Sequence, residues 1–407
     1  MKIIHAHKYY YPRAGAERYM LDLMKMQQED GHQVVPFCMH YPKNLESTWS
    51  EYFVSELKTE TGTSSPWHAL KQTCRSLWSL EAKRKFEALV DVIDPDVVHV
   101  HNIYTHISPS MLKVCQKRGI PVVMTVHDYA PVSANYSLWD HGRTMNLEKI
   151  GLFATARTKF IKGSYLKTLV LDVILTWQRF LKMYEKRVDK FLANSKFTAA
   201  VLVRAGFNQD KVKTLYPFTQ LPTETDYKDD GYVLFFGRLE DYKGVQLLIE
   251  AMKKFPNTKL KIAGTGTYEH ELRELSKGMA NVEFLGFVSG QAREDLIRKA
   301  RVCVVPSIWY EPFGLVAVEA MIRKTPVIVS DIGGLKEIVE PGVSGEIFRA
   351  GDSEDLVDKI RLFIQDPNYA ESFSHGAHDR ACEISDPQEH YANIMQEYGW
   401  LIENGEL

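Results

Sequence analysis

Val233-Leu234-Phe235-Phe236-Gly237-Arg238-Leu239-Glu240-Asp241-Tyr242-Lys243-Gly244 is the stretch on which the fold reading turns. Four apolar residues in succession suit a parallel strand buried on both faces, because an exposed face would show polar residues at alternate positions. Gly237 lets the chain turn sharply, and Gly244 opens a helical pattern over Val245–Phe255. A buried strand, a glycine turn and a helix start make one unit of an open parallel sheet. Arg238 and Lys243 then fall beyond the carboxyl end of the strand. Two cations fixed beside a helix N-terminus can hold a diphosphate, although solvated surface charge is the usual fate of such residues.

Outward from this stretch the same pattern repeats. Lys2–Ala6, Gln33–Cys38, Val97–Val100, Val122–Val126 and Lys190–Ala193 read as strands in the first half. Lys259–Ala263, Val282–Leu285, Val302–Val305 and Val327–Val329 join Val233–Phe236 in the second. Helical segments such as Ala16–Asp30 lie between them, which predicts an α/β protein with helices covering parallel sheets. Pro217–Gly231 is polar and poor in regular signals, so the expected domains are 1–218 and 219–386. A last helix over 387–407, with Tyr391, Ile394, Met395, Tyr398 and Leu401 at helical spacing, is expected on the first domain. Ligands of open parallel sheets sit beyond the strands' carboxyl ends, so two such domains facing each other would form a cleft.

Composition supports this frame. The chain has 407 residues, 45% hydrophobic and 25% charged, which is ordinary for globular proteins and predicts two or three domains. A net charge of −2 argues against a uniformly basic nucleic-acid-binding surface, and no nucleic-acid partner is expected. Five scattered cysteines without a CxxC pair argue against a disulfide framework and a cysteine zinc site. No apolar run approaches a membrane span and no leader pattern opens the chain, so a cytoplasmic location is expected.

A second constellation is Pro306-Ser307-Ile308-Trp309-Tyr310-Glu311-Pro312-Phe313-Gly314-Leu315-Val316-Ala317-Val318-Glu319. Glu311 precedes a proline and so belongs in a loop after a buried strand. Glu319 lies among small apolar residues and needs a partner, either an ion-pair cation or the two hydroxyls of a sugar or ribose diol.

Glu311-x7-Glu319 with Pro312, Phe313 and Gly314, together with Gly237-Arg238-x4-Lys243-Gly244, resembles glycosyltransferase family 4, the retaining nucleotide-sugar enzymes of the GT-B fold. Pro12-Arg13-Ala14-Gly15-Ala16-Glu17 looks like the family's N-terminal glycine loop, with Ala14 where the family often has a first glycine. Pro95–Asn102, Thr125–Asp128, Ala193–Ser195, Ala263–Gly266 and Ile332–Glu337 resemble further family markers, in order along nearly the whole chain. The resemblance implies two facing Rossmann-like domains with an interdomain cleft. It implies Arg238, Lys243, Glu311 and His127 as catalytic residues. It implies Gly15, Gly237, Gly264, Glu311, Pro312, Phe313, Gly314, Leu315 and Glu319 at the donor. Arg238 and Lys243 would hold the donor diphosphate, Glu319 the ribose, Glu311 a sugar hydroxyl, and His127 would line the acceptor side.

The implied reaction moves a sugar from a UDP- or GDP-sugar to a hydroxyl of a glycan or lipid-linked acceptor, in assembly of a bacterial-type surface polysaccharide or glycolipid. No cofactor or metal is expected, because preplaced cations offset the charge on the leaving diphosphate. Rival readings are a GT-B epimerase or hydrolase acting on nucleotide sugars, and a metal-dependent hydrolase using His5-x-His7 and His99-x-His101, each pair on one strand face. Finally, 149–190 carries ten Lys or Arg against three Asp or Glu. Leu166, Leu169, Val170, Val173, Ile174, Trp177, Leu181 and Tyr184 recur there at helical spacing. Such a helix either packs its apolar stripe on the core and solvates its cations, or lies on an anionic membrane surface, peripherally on the inner face of the plasma membrane.

Overall fold

The structure is a computed structural model that describes residues 1–56, 73–147, 152–159, 163–222 and 226–405. Residues 149–151 and 160–162 of the basic segment and 223–225 of the expected linker lie outside it. The chain divides into two compact units. The first holds Met1–Leu138, Met145–Leu215 and Gln388–Leu407, the second Trp139–Thr144 and Tyr216–Pro387.

In the first unit β1 (Lys2–Ala6), β2 (Gln33–Phe37), β3 (Val97–Val100) and β4 (Val122–Val126) precede the short hairpin strands β5 (Trp139–Asp140) and β6 (Arg143–Thr144), and then β7 (Lys190–Ala193) and β8 (Val212–Thr214) follow. The sheet runs β2-β1-β3-β4-β7-β8, every neighbouring pair parallel. Register pairs His5 with His99, so the two His-x-His strands lie side by side. β3 and β4 are buried at every residue, as a sheet covered on both faces requires.

The second unit contains β9 (Val233–Phe236), β10 (Leu260–Ala263), β11 (Val282–Gly286), β12 (Val302–Val305), β13 (Val327–Ser330) and β14 (Gly345–Phe348), in the order β11-β10-β9-β12-β13-β14 and again all parallel. Alternate side chains feed two cores. Leu234, Phe236, Cys303 and Val305 pack with Ala317, Val318 and Met321 on one face. Val233, Phe235, Val302 and Val304 pack with Leu248, Ile249, Leu356 and Ile360 on the other. Each fully buried aliphatic or aromatic side chain contributes about 1.5–3 kcal/mol, so both helix layers are held firmly to the sheet.

Four features differ from the sequence expectation. The division falls at Leu215/Tyr216, not 218/219. Residues 139–144 group with the second unit, where the Trp139 indole donates to Asp241 at 2.8 Å. The strands β8 and β14 had no clear signal, since both are edge strands with charged residues inside them, Lys213 and Glu346. The helix Tyr165–Phe180 packs only part of its apolar stripe inward: it buries Ile174 and Leu175 beside Thr168, Asp172 and Gln178, and exposes Leu166, Val173, Trp177 and Phe180. Its inward face is held by polar contacts. The Gln178 amide donates to the carbonyls of Ser76 (3.2 Å) and Tyr104 (3.5 Å).

Candidate active site

Strand order in the second sheet runs outward from β9 in both directions, so the order reverses between β9 and β12. Loops leaving the carboxyl ends of strands on either side of such a reversal diverge and open a crevice. The two loops here are Gly237–Gly244 and Pro306–Gly314, the two motifs quoted above.

Backbone contacts tie these loops to each other and to the end of β10. Gly237 N–H donates to the Ala263 carbonyl at 2.9 Å, and Ile308 N–H to the Tyr242 carbonyl at 2.9 Å. Gly244 has φ +73°, and a Cβ there would lie 1.8 Å from the Pro306 carbonyl oxygen. Gly264 has φ +143°, with a Cβ meeting the Gly237 carbonyl oxygen at 1.8 Å. Both positions therefore need glycine for close backbone approach. For Gly264 this is a packing reason, independent of any donor.

Lys243 and Glu311, 68 residues apart, meet here. The Lys243 ammonium donates to Glu311 at 3.0 Å (Oε1) and 2.7 Å (Oε2). Glu311 accepts further from the Ser307 hydroxyl (3.0 Å) and the Trp309 indole (2.9 Å), and is buried. Lys243 also lies 5.1 Å from the Trp309 ring centre, a cation–π distance. An ammonium has three donors, so two oxygens of one carboxylate leave it able to contact an anion as well.

Arg238 is more open, with its side chain 63% exposed, and donates to Glu240 at 2.8 Å, which also accepts from Thr267 at 2.6 Å. Glu319 lies on the helix Leu315–Met321 and pairs with Arg293. Of the two partners open to it, the structure places the cation. Pro312, Phe313, Gly314 and Leu315 carry the chain from Glu311 into that helix, with Phe313 buried and stacked on Tyr216 at 5.4 Å. Ser307 and Trp309 were missed as site residues although they stand inside the quoted motif. A polar neighbour of a loop carboxylate was the available signal. Arg293 has no local signal, since it reaches Glu319 from a separate helix.

In the first unit the order reverses between β1 and β3. Gly15 starts the helix Gly15–Glu29 after β1 and is exposed. Ala14 ahead of it has φ −152° and ψ −171°, extended backbone that accommodates its methyl. His127 follows β4 and is half-buried. It belongs to a cluster of imidazoles. His101 stacks on His99 at 4.4 Å and on His127 at 5.3 Å, and His5 stacks on His101 at 5.5 Å. Burial lowers His5 to about 4 and His127 to about 3, and holds His7, His99 and His101 well below the usual range, so the cluster is uncharged at neutral pH.

Nitrogens of His5, His99 and His101 come within 4.8 Å of one another, the one arrangement of metal-ligating type noted among the described residues. Each of these rings is bonded inside the protein on both nitrogens. His5 meets Gln27 and His101, His99 meets Tyr398 and Thr125, and His101 meets His5 and His127. His5, His99 and His101 thus form an internal polar network, not the open coordination site a metal hydrolase needs.

Comparison with known proteins fits this geometry. The glycosyltransferase family 4 model matches residues 13–221, and the glycosyl transferases group 1 model matches 219–380. A phosphatidyl-myo-inositol mannosyltransferase from Mycobacterium leprae is 34% identical over 86% of this chain and 84% of its own length. An uncharacterized glycosyltransferase from Methanocaldococcus jannaschii is 30% identical over 66% of each chain. Among solved structures, sucrose-phosphate synthase from Thermosynechococcus elongatus superposes with a TM-score of 0.71 at 20% identity over 98% of both chains. The Anabaena protein HepE, in complex with UDP and glucose, superposes at 0.68 and 19% identity over 98% of this chain and 99% of its own. The two Rossmann-like sheets are those of the GT-B fold, and the chain belongs to glycosyltransferase family 4.

Proposed function

We propose that this protein transfers a sugar from a nucleoside-diphosphate sugar to a hydroxyl of a glycan or lipid-linked acceptor, with retention at the anomeric carbon and without a metal. The observation that carries the reading is the Lys243–Glu311 pair at the strand-order reversal of the second sheet. Lys243 and Arg238 receive the diphosphate and offset the charge that grows on it as the glycosidic bond breaks, the part a metal plays elsewhere. Glu311 turns an oxygen to a sugar hydroxyl, and Glu319, steadied by Arg293, takes the ribose. The amides of Phe313, Gly314 and Leu315 surround the sugar and phosphates, and Gly237 and Gly264 keep the loops close. Gly15 and His127 serve from the first unit, His127 on the acceptor side. The bound UDP and glucose of the Anabaena neighbour support a UDP-sugar donor, with a GDP-sugar as the other candidate.

The acceptor class follows the relatives. One is named a phosphatidyl-myo-inositol mannosyltransferase, and another is encoded in a Klebsiella pneumoniae cps region, which supports surface polysaccharide or glycolipid assembly. No described helix is long and apolar enough to cross a membrane. Attachment to an anionic inner membrane surface is instead assigned to the helix Tyr165–Phe180. Its outward Leu166, Val173, Trp177 and Phe180 are flanked by Lys167, Lys182 and Lys186.

A thermal-shift panel of nucleoside diphosphates and their sugars tests the donor, since a ligand of the native state raises its apparent stability. One base should stabilise the wild type and lose its effect in Lys243→Ala. A wild type indifferent to every nucleotide would defeat the donor assignment.

A further inference from the structure

Four side chains from four elements form one line of hydrogen bonds in the first unit. Gln27, on the helix Gly15–Glu29, places Oε1 at 2.8 Å from His5 Nε2 on β1. His5 Nδ1 lies 3.2 Å from His101 Nε2, after β3. His101 Nδ1 lies 3.0 Å from His127 Nε2, after β4. An uncharged imidazole carries one N–H and one lone pair, so each ring must donate on one side and accept on the other. The line therefore has only two self-consistent directions. Either every ring carries its proton on Nε2 and donates toward Gln27, or every ring carries it on Nδ1 and donates away from it.

The amide of Gln27 selects between them. Its nitrogen lies 3.5 Å from the Tyr398 hydroxyl and 4.0 Å from the Met395 sulfur, both on the last helix. Tyr398 is assigned elsewhere: its oxygen is 2.5 Å from His99 Nδ1, below the range of about 2.7–3.2 Å for an N–H donor and within that of an O–H donor, so the phenol is the donor. The phenol oxygen and the thioether are then acceptors, and only the NH2 of Gln27 suits them. This turns Oε1 toward His5, which must donate to it.

We propose that Gln27, acting through His5 and His101, is a positioning residue that holds His127 as its Nε2–H tautomer, with Nδ1 left as an unprotonated acceptor. Resting on the reading that puts His127 on the acceptor side, this supplies a lone pair there for an acceptor hydroxyl. The last helix, 371 residues from Gln27 at Tyr398, thereby decides the protonation pattern at the end of β4.

Long-range proton–nitrogen correlation spectra of the full chain, with histidine ring nitrogens labelled, read the tautomer directly. In the wild type His127 should be the Nε2–H form, and finding the Nδ1–H form overturns the proposal without any variant. Gln27→Met keeps length and packing but removes the acceptor from His5, and Tyr398→Phe frees the amide to turn. In Gln27→Met the Nδ1–H form of His127 should appear, because a ring N–H left unbonded beside methionine is avoided. With the two forms equally populated, transfer falls roughly twofold, in proportion to the competent fraction. A His127 tautomer unchanged by both variants overturns the chain of influence. A tautomer that changes while transfer does not supports the chain and instead defeats the acceptor-side role of His127.

Discussion

Removing Lys243 has two consequences of different origin, and the structure predicts both. In Lys243→Met the Glu311 carboxylate stays where it is and loses the cation that pairs with it among the described residues, keeping the Ser307 hydroxyl and the Trp309 indole. Breaking a buried ion pair by deleting one partner costs about 3–5 kcal/mol. The side chains here are 19% and 11% exposed, and two hydrogen bonds survive, so the cost is at or below the low end, about 2–3 kcal/mol. With a urea m-value of about 2 kcal/mol per molar for a unit of this size, the unfolding midpoint of the second unit falls by roughly 1 M. Adding Glu311→Gln removes the stranded charge and should return most of that loss. Transfer behaves otherwise. A preplaced donor lost from a developing anion costs about 100- to 1,000-fold in rate, and the double variant must stay inactive, because neither residue it now carries brings a cation to the diphosphate. Urea unfolding followed by tryptophan fluorescence, alongside transfer assays on the same three proteins, separates the two effects. A Lys243→Met midpoint equal to wild type would refute the account of the pair as a buried, mutually satisfying unit. Transfer restored by Glu311→Gln would refute the role of Lys243 at the donor.

The histidine cluster makes the first unit acid-sensitive. His5 and His127 have folded pKa values of about 4 and about 3, below the unfolded 6.5, so the unfolded chain binds more protons between those values and stability is lost as pH falls. By pH 5 each such ring costs about 2 kcal/mol, and unfolding midpoints that stay flat from pH 7 to 5 would contradict it. Gly264→Ala should lower the thermal midpoint of the second unit steeply, since the new methyl meets the Gly237 carbonyl in a left-handed backbone; an unaltered midpoint would show that the two loops do not need their close approach. Transfer should survive exhaustive chelation, and activity that disappears with EDTA and returns with a divalent ion would end the metal-free proposal. Trp177→Ser with Phe180→Ser should weaken binding to vesicles rich in anionic lipid, as should neutralising Lys182 and Lys186; sedimentation with vesicles unchanged in both would remove the membrane assignment.

Much of the architecture was already present in the residue pattern. Continuous apolar runs such as Val233–Phe236 and Val302–Val305 are buried on both faces, as a covered parallel sheet requires. The strand–glycine–helix spacing around Gly237 and Gly244, and the loop position of Glu311 before Pro312, were readable because they are local backbone requirements. Local rules stop at the sheet edges, where β8 and β14 mix charge into short strands, and at the helix Tyr165–Phe180, where Leu166, Val173, Trp177 and Phe180 point outward while Ile174 and Leu175 point in. Periodicity reports that a helix has two faces and is silent on which one meets the protein.

Partnership between distant residues was decided by tertiary structure alone. That Lys243 satisfies Glu311 follows from the reversal of strand order between β9 and β12, and Arg293 finds Glu319 across two helices. The His-x-His spacing was compatible with a metal site until the pairing of His5 with His99 set the strands side by side and Gln27, Thr125 and Tyr398 engaged the ring nitrogens. An imidazole is a ligand, a base or a core residue according to what occupies its two nitrogens, and those occupants come from elements up to the last helix of the chain.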